Sequence, residues 1–247
     1  MHNSANISSS QPRVPDGQRI YAIGDMHGCL DLLKDLMAKI AQDQQDSTAP
    51  ARLIFLGDYI DRGLSSRQVI EYLLNLNLTP PDWLPPDFLI GNHEQVMRDI
   101  LNGQHPEMLE NWLRFGGRTT LQSYGIRPQG ELAAMISALH AKVPPSHVNF
   151  LENLSASVTY GDYFFCHAGV RPGRSLMAQT ENDLVWIRHE FLDHVGAFEK
   201  TVVHGHTIFP NVALSPQRIG VDTGAYATGH LSALALEGNK QWVIQTT

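Results

Sequence analysis

The sequence predicts an α/β protein, a β-sandwich flanked by helices, on three observations. Short apolar runs rich in β-formers alternate with helical patterns early in the chain, the second half reads mostly as strands, and polar clusters follow five strand signals. Residues 19–24 (RIYAIG) read as a buried strand. LDLLKDLMAKI follows, with apolar residues every three or four positions as on an amphipathic helix. Residues 52–57 (RLIFLG) supply a second strand, and 65–76 a second helix opened by a serine cap. Residues 87–91 (DFLIG), set off by the proline-rich TPPDWLPPD, supply a third strand with a helix behind it. Strand, helix, strand, helix, strand is a parallel, doubly wound signature.

From 103 to 153 the pattern is helical without obvious strands, GELAAMISALHAKV included, and reads as an inserted helical cap. Strands are expected again at 156–160 and 163–166, joined by a two-residue turn at Gly161-Asp162, then at 201–204, 218–222, 231–236 and 241–245. The polar opening MHNSANISSSQPRVPDG makes 1–18 a mobile arm and leaves 19–247 as one domain. Within the cap, WLRFGG at 112–117 brings an aromatic pair and Arg114, for which core packing outweighs substrate contact.

Composition narrows the function. The 247 residues are 43% hydrophobic and 17% charged, ordinary for a globular chain and enough to build a large core without disulfides. Lys and Arg number 18 against 25 Asp and Glu, and the formal charge of -7 disfavours binding a nucleic-acid duplex through a basic face. Cys29 and Cys166 lack CxxC spacing, so neither a disulfide scaffold nor a zinc knuckle is expected, and a reducing, cytoplasmic setting is. No apolar run approaches the roughly 20 residues of a membrane span, and no secretory pattern opens the chain. Histidine is the unusual count: 12 residues, two-thirds of the Lys and Arg total, which raises metal or proton chemistry.

The polar clusters are GDMHG at 24–28, GDYIDRG at 57–63, GNHE at 91–94, CHAG at 166–169 and HGHT at 204–207. Sites in open parallel sheets lie beyond the carboxyl ends of the strands, so the clusters should converge there. They deliver Asp25, His27, Asp58, Asn92, His167 and His206 to one edge. Carboxylate, imidazole and amide donors without a thiolate suit borderline and hard divalent ions. Six donors exceed one tetrahedral site; with one carboxylate bridging, they divide between two ions about 3.5–4 Å apart, as in displacement at phosphorus.

These five blocks, in this order, resemble the signature blocks of the phosphoprotein phosphatase family of calcineurin-like metallophosphoesterases, and in length the chain is similar to its short bacterial members, bacterial-type serine/threonine protein phosphatases. The resemblance implies a metallophosphoesterase domain over 19–247 holding two divalent ions, manganese first among them, with iron, zinc or cobalt compatible. It implies that Asp25 and His27 bind the first metal, that Asp58 bridges both, and that Asn92, His167 and His206 complete the second. Asp61 would orient His93, and His93 would protonate the leaving oxygen after attack by a hydroxide held between the ions. Arg62 would hold a phosphate oxygen, and Arg188 of WIRHE would clamp the phosphoryl group from the other side.

The activity so implied is hydrolysis of phosphoserine or phosphothreonine in a phosphoprotein or phosphopeptide. Symmetrical diadenosine tetraphosphate hydrolases resemble the chain in all five blocks too and are the alternative, with 103–153 the region that would separate an open site from one narrowed for a nucleotide. A non-catalytic metal-binding module predicts decay of ligand or acid positions, and none is missing. Many metal-dependent diesterases end in GHxH; here Ile208 holds that last position, which favours the phosphatase branch. His204 reads as a supporting or packing residue and Cys166 as an inert buried thiol. His2, His105, His140, His147, His189, His194 and His230 read as surface or hydrogen-bonded residues.

Overall fold

The computed structural model describes residues 11–78 and 82–247. β1 (Arg19–Ile23), α1 (Leu30–Gln44), β2 (Ala51–Phe55), α2 (Ser66–Leu74), β3 (Asp87–Phe88) and α3 (Asn92–Leu101) follow in the expected order. Helical structure continues through α4 (Leu109–Trp112), α5 (Arg118–Ser123), α6 (Leu132–Lys142) and α7 (Pro145–Glu152). Next come β4 (Ser157–Tyr160), β5 (Tyr163–Cys166), α8 (Glu181–Trp186), α9 (His189–Leu192), β6 (Thr201–His204), β7 (Ala213–Leu214) and β8 (Arg218–Gly220). The short α10 (Ala225–Thr228) leads into the hairpin of β9 (Ser232–Glu237) and β10 (Lys240–Gln245).

The strands form two five-stranded sheets, ordered β10-β9-β1-β2-β3 and β4-β5-β6-β8-β7. β1, β2 and β3 pair in parallel, but β9 joins β1 antiparallel, so the doubly wound signature describes only half of its sheet. In the second sheet β5, β6 and β8 run parallel between antiparallel edges.

Two-residue alternation divides each strand between layers. Ile20, Ala22, Ile54, Leu56, Tyr163, Phe165, Val203, Leu234 and Leu236 meet in the cluster between the sheets. Their neighbours Tyr21, Ile23, Leu53, Phe55, Ala233 and Ala235 pack outward in one cluster with the buried faces of α1 to α7. Phe164, Cys166 and Val202 pack outward on the other side with Leu184 of α8 and Phe191 of α9. The result is a helix, sheet, sheet, helix stack. No helix among the described residues is long and apolar enough to cross a membrane.

Several expectations change in detail. Of the expected arm, 1–10 lie outside the described residues, while 11–18 are packed: Val14 is buried between the sheets, its N–H donates to Gly238 O, and the Arg13 N–H reaches Asp162. A single valine in an otherwise polar stretch carries too weak a periodic signal to mark this strap. Residues 103–153 are helical, but Leu109, Trp112, Leu121, Tyr124 and Phe150 share one cluster with β1 and β2, so the segment is part of the core wall and not a separate cap. β3 is two residues long because the Ile90 N–H turns away to Ser155 O. Ser65 makes no side-chain cap on α2; the Ser66 hydroxyl instead accepts the Asp61 N–H. Cys166 is fully buried, and burial raises its thiol pKa, in keeping with an inert thiol.

Phe165→Ala, which hollows the layer between the sheets, should destabilise the protein by about 3–5 kcal/mol. A urea titration checks it: a lowered midpoint at unchanged slope is expected, and an unmoved midpoint would contradict this account of the core.

Candidate metal centre

The first two blocks lie side by side because β1 and β2 are adjacent and parallel. The His27 N–H donates to Asp58 O, the Gly28 N–H to Tyr59 O and the Gly63 N–H to His27 O, at 2.8, 2.8 and 3.0 Å, so the two loops are laced by their own backbones. Glu94, fully buried at the start of α3, ties in the third block. Its carboxylate accepts the N–H groups of Asp58, Tyr59, Ile60 and Gly91 at 2.8, 2.8, 3.2 and 3.0 Å. The glycines are spacers: a Cβ on Gly91 would stand 2.2 Å from Asp58 Oδ1, and one on Gly205 2.0 Å from Asp25 Oδ1.

Backbone conformation marks the same place. Among the described residues, the non-glycine positions with positive φ are His27, Asp58, Asp61, Arg62 and His206, between 39° and 72°. Such conformations cost energy and persist only where surroundings over-determine them, so strain is concentrated at the predicted site.

Asp58 is the hub. Its Oδ2 lies 3.3 Å from His27 Nε2 and 3.9 Å from His93 Nε2, while Oδ1 lies 3.4 Å from His167 Nε2. His167 Nε2 is in turn 3.1 Å from Asn92 Oδ1 and 3.2 Å from His206 Nδ1. Two groups of donor atoms able to hold a metal ion therefore share one carboxylate: His27, Asp58 and His93, and Asp58, His167 and His206. His27 Nδ1 faces Ile60 O at 2.8 Å and His167 Nδ1 faces Leu56 O at 2.9 Å, which fixes both rings with Nε2 presented inward. Asp25 joins from the side: its Oδ2 accepts the His206 N–H at 2.9 Å, while Oδ1, like His206 Nε2, is buried without a hydrogen-bond partner. Buried polar atoms with no protein partner, crowded by further donors, are the chemistry of a cation site, so these residues fit a pair of divalent ions.

Asp61 is fully buried and saturated. Its Oδ2 accepts from Trp112 Nε1 at 2.6 Å and meets His93 Nδ1 at 2.5 Å; its Oδ1 accepts from the Thr120 hydroxyl at 2.5 Å. It neither caps α2 nor pairs with Arg62 by its side chain. Arg62 lies with Nη2 3.4 Å from His93 Nε2, and its guanidinium carbon stands 4.5 Å from the centre of the Tyr226 ring. Arg188 is close enough for its charge to lower the pKa of His167 and of His206.

The electrostatics follow from burial and crowding. Burial would raise Asp58, yet His167, His93, His27 and His206 hold it far below the usual carboxylate range. Burial lowers His27 to about 3 and His206 to about 2, so both rings are neutral and available as ligands. His93 differs: burial opposes its charge, but Asp58 and the bond to Asp61 outweigh it and raise the ring to about 9, a proton-bearing imidazole. Burial, Asp222 and Asp58 together push Asp25 well above its ordinary value.

Glu94, Thr120, Tyr226 and Asp222, to which the sequence assigns no role, carry this arrangement, and so does Trp112, expected only to pack in the core. Glu94 stands inside GNHE and was the easiest to find. WLRFGG divides: Trp112 and Leu113 are buried as expected, whereas Phe115 and Arg114 are exposed, because Gly116 at φ 122° breaks the helix between them and α5. His204 is a packing residue, fully buried between Phe191 and Phe209 with Nδ1 3.0 Å from Gly205 O.

In the metal-free protein His27, His204 and His206 stay neutral when folded, lowered by burial from 6.5 to about 3, 4 and 2. The unfolded chain takes up those protons nearer 6.5, so the stability that these three rings contribute is full above that pH and is lost as pH falls toward 4. An NMR pH titration of the metal-free protein should show imidazoles that stay neutral from pH 7 down to 5; every imidazole titrating near 6.5 would refute the burial of neutral rings.

Comparison with known proteins agrees with this geometry. The profile of the Calcineurin-like phosphoesterase family matches residues 18–233. An asymmetrical bis(5'-nucleosyl)-tetraphosphatase, PrpE of Bacillus mycoides, is 25% identical over 234 residues, covering 86% of this chain and 88% of that protein. The symmetrical bis(5'-nucleosyl)-tetraphosphatase of a Janthinobacterium is 26% identical over 265 residues, covering 87% and 92%. The cold-active protein-tyrosine phosphatase of a psychrophilic Shewanella superposes with a TM-score of 0.62 over 95% of this chain and 83% of that one, at 16% identity, a likeness of fold alone. With a two-sheet fold, paired donor clusters on a shared aspartate and a profile match spanning nearly all the described domain, the chain belongs to the calcineurin-like phosphoesterase family.

Proposed function

We propose that the protein is a metal-dependent hydrolase of dinucleoside polyphosphates, with diadenosine tetraphosphate as reference substrate. One observation carries the choice over phosphoserine or phosphothreonine esters: relatives matching 86% and 87% of the chain are named for that activity. The site is compatible with it, since a dinuclear centre flanked by two arginines recognises a phosphoryl group whatever it is attached to.

When bound, two divalent ions would supply Lewis acidity and a water acidic enough to attack phosphorus near neutral pH. His27 and Asp25 with Asp58 would hold one, and Asn92, His167 and His206 with Asp58 the other; the donor set suits manganese, iron, zinc or cobalt. Arg62 and Arg188 offset charge on the phosphoryl oxygens, where a planar guanidinium can bond two oxygens at once. His93 presents Nε2 toward Asp58 and Arg62 and donates its proton to the departing oxygen, while Asp61 holds Nδ1 and thereby fixes the ring. Trp112 and Thr120 also donate to Asp61, which holds that carboxylate still.

Supplied with manganese, the enzyme should show a kcat/KM for diadenosine tetraphosphate at least a hundredfold above that for a phosphothreonine peptide. The reverse order would return the assignment to a protein phosphatase. Asp58→Asn should abolish stoichiometric binding of two ions in calorimetry and lower turnover by orders of magnitude. Near wild-type behaviour of that variant would remove Asp58 from its bridging place.

A further inference from the structure

Large apolar side chains stand in water around the centre, and the chemistry above has no use for them. Leu64 is 76% exposed, Phe115 67%, Tyr226 40% and Trp186 38%. Isolated exposed hydrophobics are ordinary, but a group of them near one polar site marks a surface that binds something. Each is anchored to a residue of the phosphate or metal machinery. The Tyr226 ring lies 4.5 Å from the Arg62 guanidinium carbon and meets the His27 ring edge-on at 5.3 Å. Leu64 stands two residues beyond Arg62. Phe115 precedes Gly116, whose carbonyl accepts the Arg62 N–H at 3.2 Å and whose missing Cβ would stand 2.8 Å from Arg62 Cγ.

A further aromatic stands near the second arginine in the chain. Trp186 lies two residues before Arg188, and its indole N–H donates at 2.6 Å to Oε1 of Gln95, two residues past His93. Tyr226 thus adjoins the cluster containing His27, and Trp186 precedes by two positions Arg188, whose charge reaches His167 and His206. The Phe115 segment kinks at Gly116, at a positive φ that glycine accepts, with Trp112 and Leu113 buried before it and the phenyl ring exposed one residue from the Arg62 contact.

We propose that Phe115 with Tyr226 on the Arg62 side, and Trp186 on the Arg188 side, are stacking faces for the two nucleobases of a dinucleoside polyphosphate, whose phosphate chain crosses the centre between them. This rests on the function proposed above. An aromatic face beside an arginine that holds phosphate accepts a planar base joined to that phosphate, and stacking takes any base. Aromatics on both flanks match a substrate with a base at either end. A phosphoserine or phosphothreonine ester brings no planar group, and a phosphotyrosyl ester would occupy one flank only.

The test is calorimetric binding of ADP and of inorganic pyrophosphate to the manganese-loaded full chain, run beside diadenosine tetraphosphate hydrolysis. Wild type should bind ADP about tenfold or more tightly than pyrophosphate, the increment expected of one stacked base. Phe115→Ala combined with Trp186→Ala should erase that preference, while Phe115→Tyr combined with Trp186→Phe, which keeps both rings, should retain it; pyrophosphate affinity reports whether the phosphate site is intact. An ADP preference equal in wild type and the double alanine variant overturns the stacking faces even where the dinucleotide is hydrolysed. A preference lost in that variant of a protein that leaves the dinucleotide uncut overturns the proposed function and keeps the subsite. Phenyl phosphate bound more tightly than ADP, with the preference lost in the same variant, assigns the flank to an aromatic ester and overturns the proposal as well.

Discussion

The arrangement depends on one buried carboxylate that touches no substrate. Glu94 gathers four backbone N–H groups, three from the loop after β2 and one from the turn before α3. Three consecutive residues cannot point their amides at one side chain in a strand or a helix, so the loop from Gly57 to Arg62 is left with the unusual backbone it has, Asp58 at φ 52° included. Only in that conformation do the two oxygens of Asp58 face opposite ways, one toward His27 and one toward His167. The cost of a left-handed aspartate is met by the four hydrogen bonds converging on this one carboxyl group.

From that hub the sandwich assembles as a meeting of two sheets. The first contributes Asp25, His27 and Asp58 from the ends of β1 and β2; the second contributes His167 and His206 from the ends of β5 and β6. The first sheet assembles one donor group by itself, whereas the second group is complete only where the sheets meet, at Asp58. Helices α4 and α5 add the third element by holding Asp61 through Trp112 and Thr120, so the acid His93 is fixed from the wall of the core and not from a detachable lid.

Much of this was legible in the chain before any fold was known, and for a definable reason. Glycines pressed against Asp58 and Asp25, and polar residues at abrupt strand ends, leave local patterns that survive in short blocks: GDMHG, GDYIDRG, GNHE, CHAG and HGHT. Contacts of long sequence separation leave none. The antiparallel placing of β9 beside β1, the Trp112 to Asp61 bond across 51 positions and the stacking of Tyr226 on Arg62 follow from how distant elements pack. The strap at 11–18 escaped notice for the same reason, since its worth lies in Asp162 and Gly238, far along the chain. The choice between phosphopeptide and dinucleotide was out of reach because it turns on side chains around the rim, which obey no periodicity.

That strap has a mechanical meaning. At the end of the sandwich away from the donor groups, residues 13 and 14 fasten the β4–β5 turn of one sheet to the β9–β10 turn of the other. At the donor end, His167 reaches across to Leu56 O and the His206 N–H reaches across to Asp25. A sandwich stitched at both ends has no hinge between its sheets. Accommodation of one substrate over another then falls to the fringe of side chains outside the frame, and the separation of the donor groups stays fixed while the fringe changes.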